Sequence, residues 1–200
     1  MPDMAVPAPA KIELQNCTVL LDAIERGMHS VRSEWIFLRE LRVGTGRRQG
    51  NLQRLDAFAL NTLPHTGMKR VCYEAKVSRA DFLLELKHPL KRRMGMRYSN
   101  EFYFVTPPGL LTVAEIPAEC GLIEAGITTT SQWKHLVNGH AGFFAFDPES
   151  GTFCVLRVPA PWRDTPGPTW QLAAAMLRHQ RREMEERPPA PPMQQKLQLL

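Results

Sequence analysis

The chain lacks closely spaced cysteines. Cys17, Cys72, Cys120 and Cys154 lie dozens of residues apart, and no CxxC or CxxH pair occurs. This excludes the spacing of a zinc finger or ribbon and of a small disulfide framework. Reduced thiols in a cytosol are the simpler expectation. The opening residues, MPDMAVPAPAK, hold no apolar stretch of the secretory kind. No apolar run approaches the roughly 20 residues needed to cross a bilayer. No internal repeat is visible. No GxxxxGK[ST] occurs, so Gly44-Thr45-Gly46 is not a phosphate loop. A soluble, cytoplasmic chain with no membrane association is expected.

The 200 residues suit one domain with tails. Hydrophobic residues make up 44%, an ordinary share for a globular core that needs no covalent or metal staple. Residues 1–11 read as a loose Pro/Ala arm and 188–200 as a Pro-rich extended tail, leaving a domain over 12–187. The formal net charge is +5 and the pI about 9.2, a mild lean toward polyanionic partners.

Between the tails the apolar period alternates between helix and strand, which predicts a mixed α/β domain. Cys17–Val31 carries Val19, Leu20, Ala23, Ile24 and Met28 on one helical face. Trp35–Val43 fits either a first strand or a continuation of that helix. Leu55–Leu63 and Lys69–Val77 read as neighbouring strands joined by Pro64-His65-Thr66-Gly67. Ser78 with Asp81 three residues on marks a helix start, with Phe82, Leu83 and Leu86 as its apolar stripe. Pro89 divides that helix from a turn-rich stretch. Glu101–Thr106 is a strong strand, Gly121–Ala125 and Thr152–Val158 are shorter ones, and Trp170–Glu186 is a closing helix.

The residues that carry chemistry are Asp56, near the start of one strand, and Glu74-Ala75-Lys76, near the end of the next. Residues two apart on a strand face the same way, so Glu74 and Lys76 share a side. Two carboxylates suffice for Mg²⁺, which takes oxygen ligands and keeps several waters. Lys76 beside them can steady a developing phosphate charge. Lys87, Lys91, Arg92 and Arg93 follow within one acid-free run, KHPLKRRMGMR. Such a run can contact a nucleic-acid backbone without reading sequence, or serve as a solvated surface.

The blocks LDAFAL, YEAKVSRADFLLELK and YSNEFYFVTPPGL resemble the restriction-endonuclease-like fold of the PD-(D/E)XK nuclease superfamily. They resemble its small MmcB-like and phage-borne members in particular. The resemblance covers about residues 34–185. Leu55 stands where the superfamily motif has its proline. The resemblance implies a mixed central sheet flanked by helices, with an αβββαβ core. It also implies a metal-dependent deoxyribonuclease of DNA repair or processing, using Mg²⁺ or Mn²⁺, or alternatively a DNA-binding module on the same fold that cuts poorly or only within a complex. Asp56 and Glu74 match its metal-binding acids, and Lys76 its catalytic lysine. A further acid from the first helix assists in many relatives; Glu25 and Glu40 are the candidates. The sequence leaves open whether the chain works alone, as a homodimer or in a larger repair complex.

Overall fold

The computed structural model describes residues 16–44, 53–137 and 142–186. The two terminal segments and Arg47 and Arg48 of the glycine-rich loop lie outside them. The helix α1 (Cys17–Met28) leads into three strands, β1 (Trp35–Val43), β2 (Gln53–Asn61) and β3 (Arg70–Ala75). Then come α2 (Arg79–Lys87), the short α3 (Arg93–Tyr98), β4 (Glu101–Thr106) and β5 (Gly121–Ile127). The chain closes with α4 (Thr130–Leu136), β6 (Phe144–Phe146), β7 (Thr152–Val158) and α5 (Trp170–Glu186). The expected α-β-β-β-α-β order is present, with α3 added.

The seven strands form one mixed sheet in the order β1-β2-β3-β4-β5-β7-β6. Pairing is parallel only from β3 to β4 and from β4 to β5. Trp35–Val43 is a strand because it pairs along β2, from Trp35 opposite Asn61 to Val43 opposite Gln53. The β2–β3 hairpin closes as the sequence suggests. Pro64–Thr66 makes a tight 3-10 turn, and Gly67 takes the left-handed backbone (φ 67°) that only glycine enters without cost.

Alternation sorts side chains onto two faces. On one face Ala57, Ala59, Val71, Tyr73 and Ala75 meet Leu20, Ala23 and Ile24 of α1. On the other, Phe58, Cys72, Phe102 and Phe104 meet Phe82 of α2, Tyr98 of α3 and Leu172 of α5. The α3 turn fits closely because its central residue is Gly95. A methyl group there would sit 2.8 Å from Cys72 Sγ and 2.9 Å from the Phe102 ring.

The stripe expected for α2 is partly inverted. Phe82 is buried, but Leu83 and Leu84 face solvent, and Glu85 takes a buried position instead. The Ser78 cap is present: its side chain accepts the Asp81 N–H at 3.1 Å.

His29, at the C-terminal end of α1, is sealed among Trp35, Phe37 and Tyr73 and hydrogen-bonds the Tyr73 hydroxyl at 2.7 Å. Burial, with a contribution from Lys69, pushes its pKa down to about 3. The unfolded chain takes up a proton at this residue near pH 6.5, and the folded chain resists until about pH 3. Stability is therefore lost as pH falls through that window. In urea unfolding, the wild type should lose up to about 1.4 kcal/mol per pH unit more than His29→Gln between pH 6.5 and 3. Parallel stability curves for the two proteins would count against this account of His29.

Candidate active site

The β2–β3 ladder runs from Leu60 opposite Arg70 to Ala57 opposite Tyr73. Beyond it, a side chain takes over the backbone's role. The Ala75 N–H donates to Asp56 Oδ2 at 3.0 Å. The next N–H, of Lys76, donates to the Val105 carbonyl of β4 at 2.9 Å. The end of β3 is thus held on both sides, by a carboxylate on one and a parallel strand on the other.

This geometry carries the Lys76 ammonium into a carboxylate cluster. Its Nζ lies 2.9 Å from Glu74 Oε1, 3.3 Å from Asp81 Oδ2 and 3.5 Å from Glu85 Oε2. The lysine and Glu85 side chains are only 6% and 5% exposed, whereas Asp81 is 55% exposed. The three predicted residues, Asp56, Glu74 and Lys76, are therefore brought together. Glu85 was missed by sequence reasoning, because a charged residue amid FLLEL reads as the wet side of a helix. The available signal was the i, i+4 spacing of Asp81 and Glu85 directly after the lysine, which puts both on one helical face. Asp81 does more than favour the helix start: its carboxylate reaches the lysine.

Burial, together with the nearby Asp56 charge, raises the Glu74 pKa to about 7 against the opposing pull of Lys76. Burial also raises Asp56, opposed by the Ala75 N–H and by Lys76. Three carboxylates thus contact one ammonium, and Asp56 lies within its electrostatic reach. Arg54 offers Asp56 some distant relief but is exposed and paired with Glu40. Lys76 is itself pushed upward by Glu74 and Glu85 despite burial, so it stays charged.

Among the described residues, no three or more Asp, Glu, His or Cys side chains converge as a metal-holding group. The donors at hand are Asp56 and Glu74, both hard oxygen ligands under mutual repulsion. That pair fits Mg²⁺ or Mn²⁺, which can fill its remaining positions with water. Neither candidate for a further acid joins them. Glu25 pairs with Arg39, which also holds Asp22. Glu40 lies across β1 from Asp56, between the pairs Arg39–Ala57 and Leu41–Leu55. Its left-handed backbone (φ 51°) accompanies a side chain turned to Arg54.

The basic run divides. Lys87, Lys91 and Arg93 are exposed. Arg92 is not available to a phosphate, which corrects the sequence reading. It is 6% exposed, donates to the Glu85 carbonyl, lies 3.6 Å from Glu119 and covers the Phe104 ring. A guanidinium can bury its apolar stem and flat face against an aromatic ring, so an arginine in a charge run need not be solvated.

No family model matches the chain, and no curated protein matches it. Among solved structures it is similar to SPO1766, a protein of unknown function from Silicibacter pomeroyi. The TM-score is 0.53 at 16% identity, over 87% of this chain and 90% of that one. This similarity establishes a shared fold. Among the described residues, no helix is long and apolar enough to cross a membrane.

The charge surplus makes a stability prediction. The Glu74 pKa is raised from 4.5 toward 7, so the carboxyl's contribution is full below pH 4.5 and is lost as pH rises through 7. Metal-free Glu74→Gln should gain stability relative to wild type across that window, by up to about 1.4 kcal/mol per pH unit. Thermal or urea melts at pH 4.5 and pH 8 decide it; a constant difference between the two proteins would remove the inferred repulsion.

Proposed function

We propose that this chain is a metal-dependent nuclease that hydrolyses DNA phosphodiesters, in DNA repair or processing. The observation that supports it best is the imbalance at the end of β3, where Glu74, Asp81 and Glu85 contact Lys76 and Asp56 adds a fourth carboxylate nearby. A structural ion-pair network tends toward balance, because an unpaired buried charge costs several kcal/mol. Surplus carboxylate at a largely buried strand end is instead what a cation site requires. The resemblance of the Asp56 and Glu74-x-Lys76 pattern to PD-(D/E)XK nucleases points the same way.

In this reading Asp56 and Glu74 hold Mg²⁺ or Mn²⁺, which when bound supplies positive charge at the phosphate and a more acidic water. Glu74 must be ionised to serve as a ligand. Lys76 keeps its proton and donates from Nζ to an anionic phosphate oxygen, steadying the charge that builds there. Asp81 and Glu85 keep the ammonium at the end of β3 when Glu74 is engaged elsewhere. The exposed Lys87, Lys91 and Arg93 on the segment that follows are suited to phosphate contacts, whose affinity falls with salt.

Cleavage of single-stranded, duplex and branched DNA in Mg²⁺, Mn²⁺ or EDTA tests the reading. Cutting should require the metal and fall roughly 10²–10³-fold in Lys76→Ala. Asp56→Asn and Glu74→Gln should abolish the metal-dependent cutting, and folding of each variant is checked by circular dichroism. DNA binding in EDTA should survive Lys76→Ala. A wild type that cuts none of these substrates with either metal would overturn the proposal.

A further inference from the structure

A groove of about 890 Å³ runs between the end of β1 and α5. The helix docks on the sheet through Leu172, Ala175 and His179, which leaves Arg178, Arg181 and Arg182 exposed. Gly44, Ala174 and Ala175 line the groove with little more than backbone and methyl groups, so it stays open. Its other lining side chains include Arg42, Arg178, Arg181 and Arg182, against the single carboxylate of Glu185. Arg181 takes that carboxylate at 2.8 Å. Residues four apart on a helix lie on one face, so Arg178 and Arg182 stand one turn apart along the groove.

Two of these cations have no part in holding the fold. Among the described residues, Arg42 and Arg178 are exposed and pair with no carboxylate. Arg182 meets only the His179 ring, at 3.3 Å. The carboxylates close by are engaged, Glu183 with His179 and Glu40 with Arg54. Position then separates this groove from an ordinary wet surface. Arg42 of β1 is directly opposite Arg54 of β2, so Asp56, two residues on, is its diagonal neighbour across the ladder. Such neighbours lie roughly 7–8 Å apart. The basic groove therefore ends beside a carboxylate assigned to the metal. Gln53, at the start of β2, also donates to the Leu90 carbonyl at 3.3 Å, within the segment of Lys87, Lys91 and Arg93. One strand end touches both cationic surfaces.

We propose that the β1–α5 groove is a DNA-backbone site, in which Arg42, Arg178 and Arg182 take phosphates of the strand that leads to Asp56, Glu74 and Lys76. The inference deepens the nuclease reading and rests on it for the strand's destination. A guanidinium stays charged and meets a phosphate with two parallel N–H donors. Contacts of this kind position the backbone without reading bases, so binding in the groove is indifferent to sequence and falls steeply with salt. Trp170, the first residue of α5, lines the same groove and is 92% exposed. Its indole reports on whether the groove is filled.

The test is fluorescence anisotropy of a labelled DNA duplex with the full-length protein, in EDTA, across a salt series. Arg42→Ala/Arg178→Ala should weaken binding at least about tenfold near ~0.1 M salt. It should also flatten the plot of log affinity against log salt by about 1.8, or ~0.9 for each lost phosphate contact. Arg42→Lys/Arg178→Lys keeps the charge and should restore the slope, which excludes simple misfolding. Arg32→Ala removes an exposed arginine ahead of β1, at the opposite end of that strand from Arg42, and should bind like the wild type. Saturating DNA should quench tryptophan emission in the wild type and not in Trp170→Phe. Unchanged affinity and slope in the alanine variant overturn the proposal, as does an equal loss in Arg32→Ala or quenching that persists in Trp170→Phe. Arginine-dependent binding to phosphatidylglycerol/phosphatidylcholine vesicles, with DNA affinity unchanged, also overturns it and assigns the groove to a lipid surface. Cleavage by the wild type in Mg²⁺ is read separately. Groove-dependent binding without cleavage sinks the nuclease reading and keeps the groove as a DNA-binding surface. Cleavage without groove-dependent binding does the reverse.

Discussion

The Lys76 ammonium, nearly removed from water among three carboxylates, is the constraint around which this end of the molecule is arranged. It requires β3 to stop where it does, held by the Asp56 side chain on one side and by Val105 on the other. It also requires the chain to turn at once into α2, which the Ser78 cap accomplishes. Only then do Asp81 and Glu85, one helical turn apart, face back toward the strand end. Phe82, between them in sequence, fixes α2 against Phe104 at 5.1 Å. The apolar and polar contacts of one helix therefore serve the same geometry.

Lys76 does not neutralise its surroundings, and this is what separates the cluster from an ordinary buried ion pair. Glu74 resists ionisation because it is buried beside Asp56. Removing one partner of a balanced buried pair typically costs about 3–5 kcal/mol; here the native arrangement itself leaves negative charge unmatched. Proteins keep such strain where a ligand relieves it, since perturbed carboxyls concentrate at functional sites. A bound cation would relieve the Asp56–Glu74 repulsion and free Lys76 to face an incoming anion.

Much of this was legible in the sequence because it rests on local pattern. Alternation in KRVCYEAKV places Tyr73 and Ala75 on the α1 face and Cys72 and Glu74 on the other, as observed. The Ser78 cap and the strand EFYFVT were equally plain. What escaped has physical causes. Glu85 is buried by its reach to Lys76, a tertiary contact that overrides the apolar period, while Leu83 and Leu84 are left exposed. Arg92 hides within a charge run because Phe104 and the Glu85 carbonyl receive it. The short β6 and α4 escaped notice because three strand residues and two helical turns are too brief for a period to show. Their packing is visible only once Trp133 meets Phe146 and Phe153.

The claim that unmatched carboxylates mark a cation site is tested most directly by calorimetric titration of the metal-free protein with Mn²⁺ at pH 8. Saturable binding of one or two equivalents, lost in Asp56→Asn/Glu74→Gln, with Mg²⁺ competing for the same site, is the predicted result. Wild-type heats indistinguishable from those of the double variant would contradict it and leave the Lys76 cluster as a structural network alone.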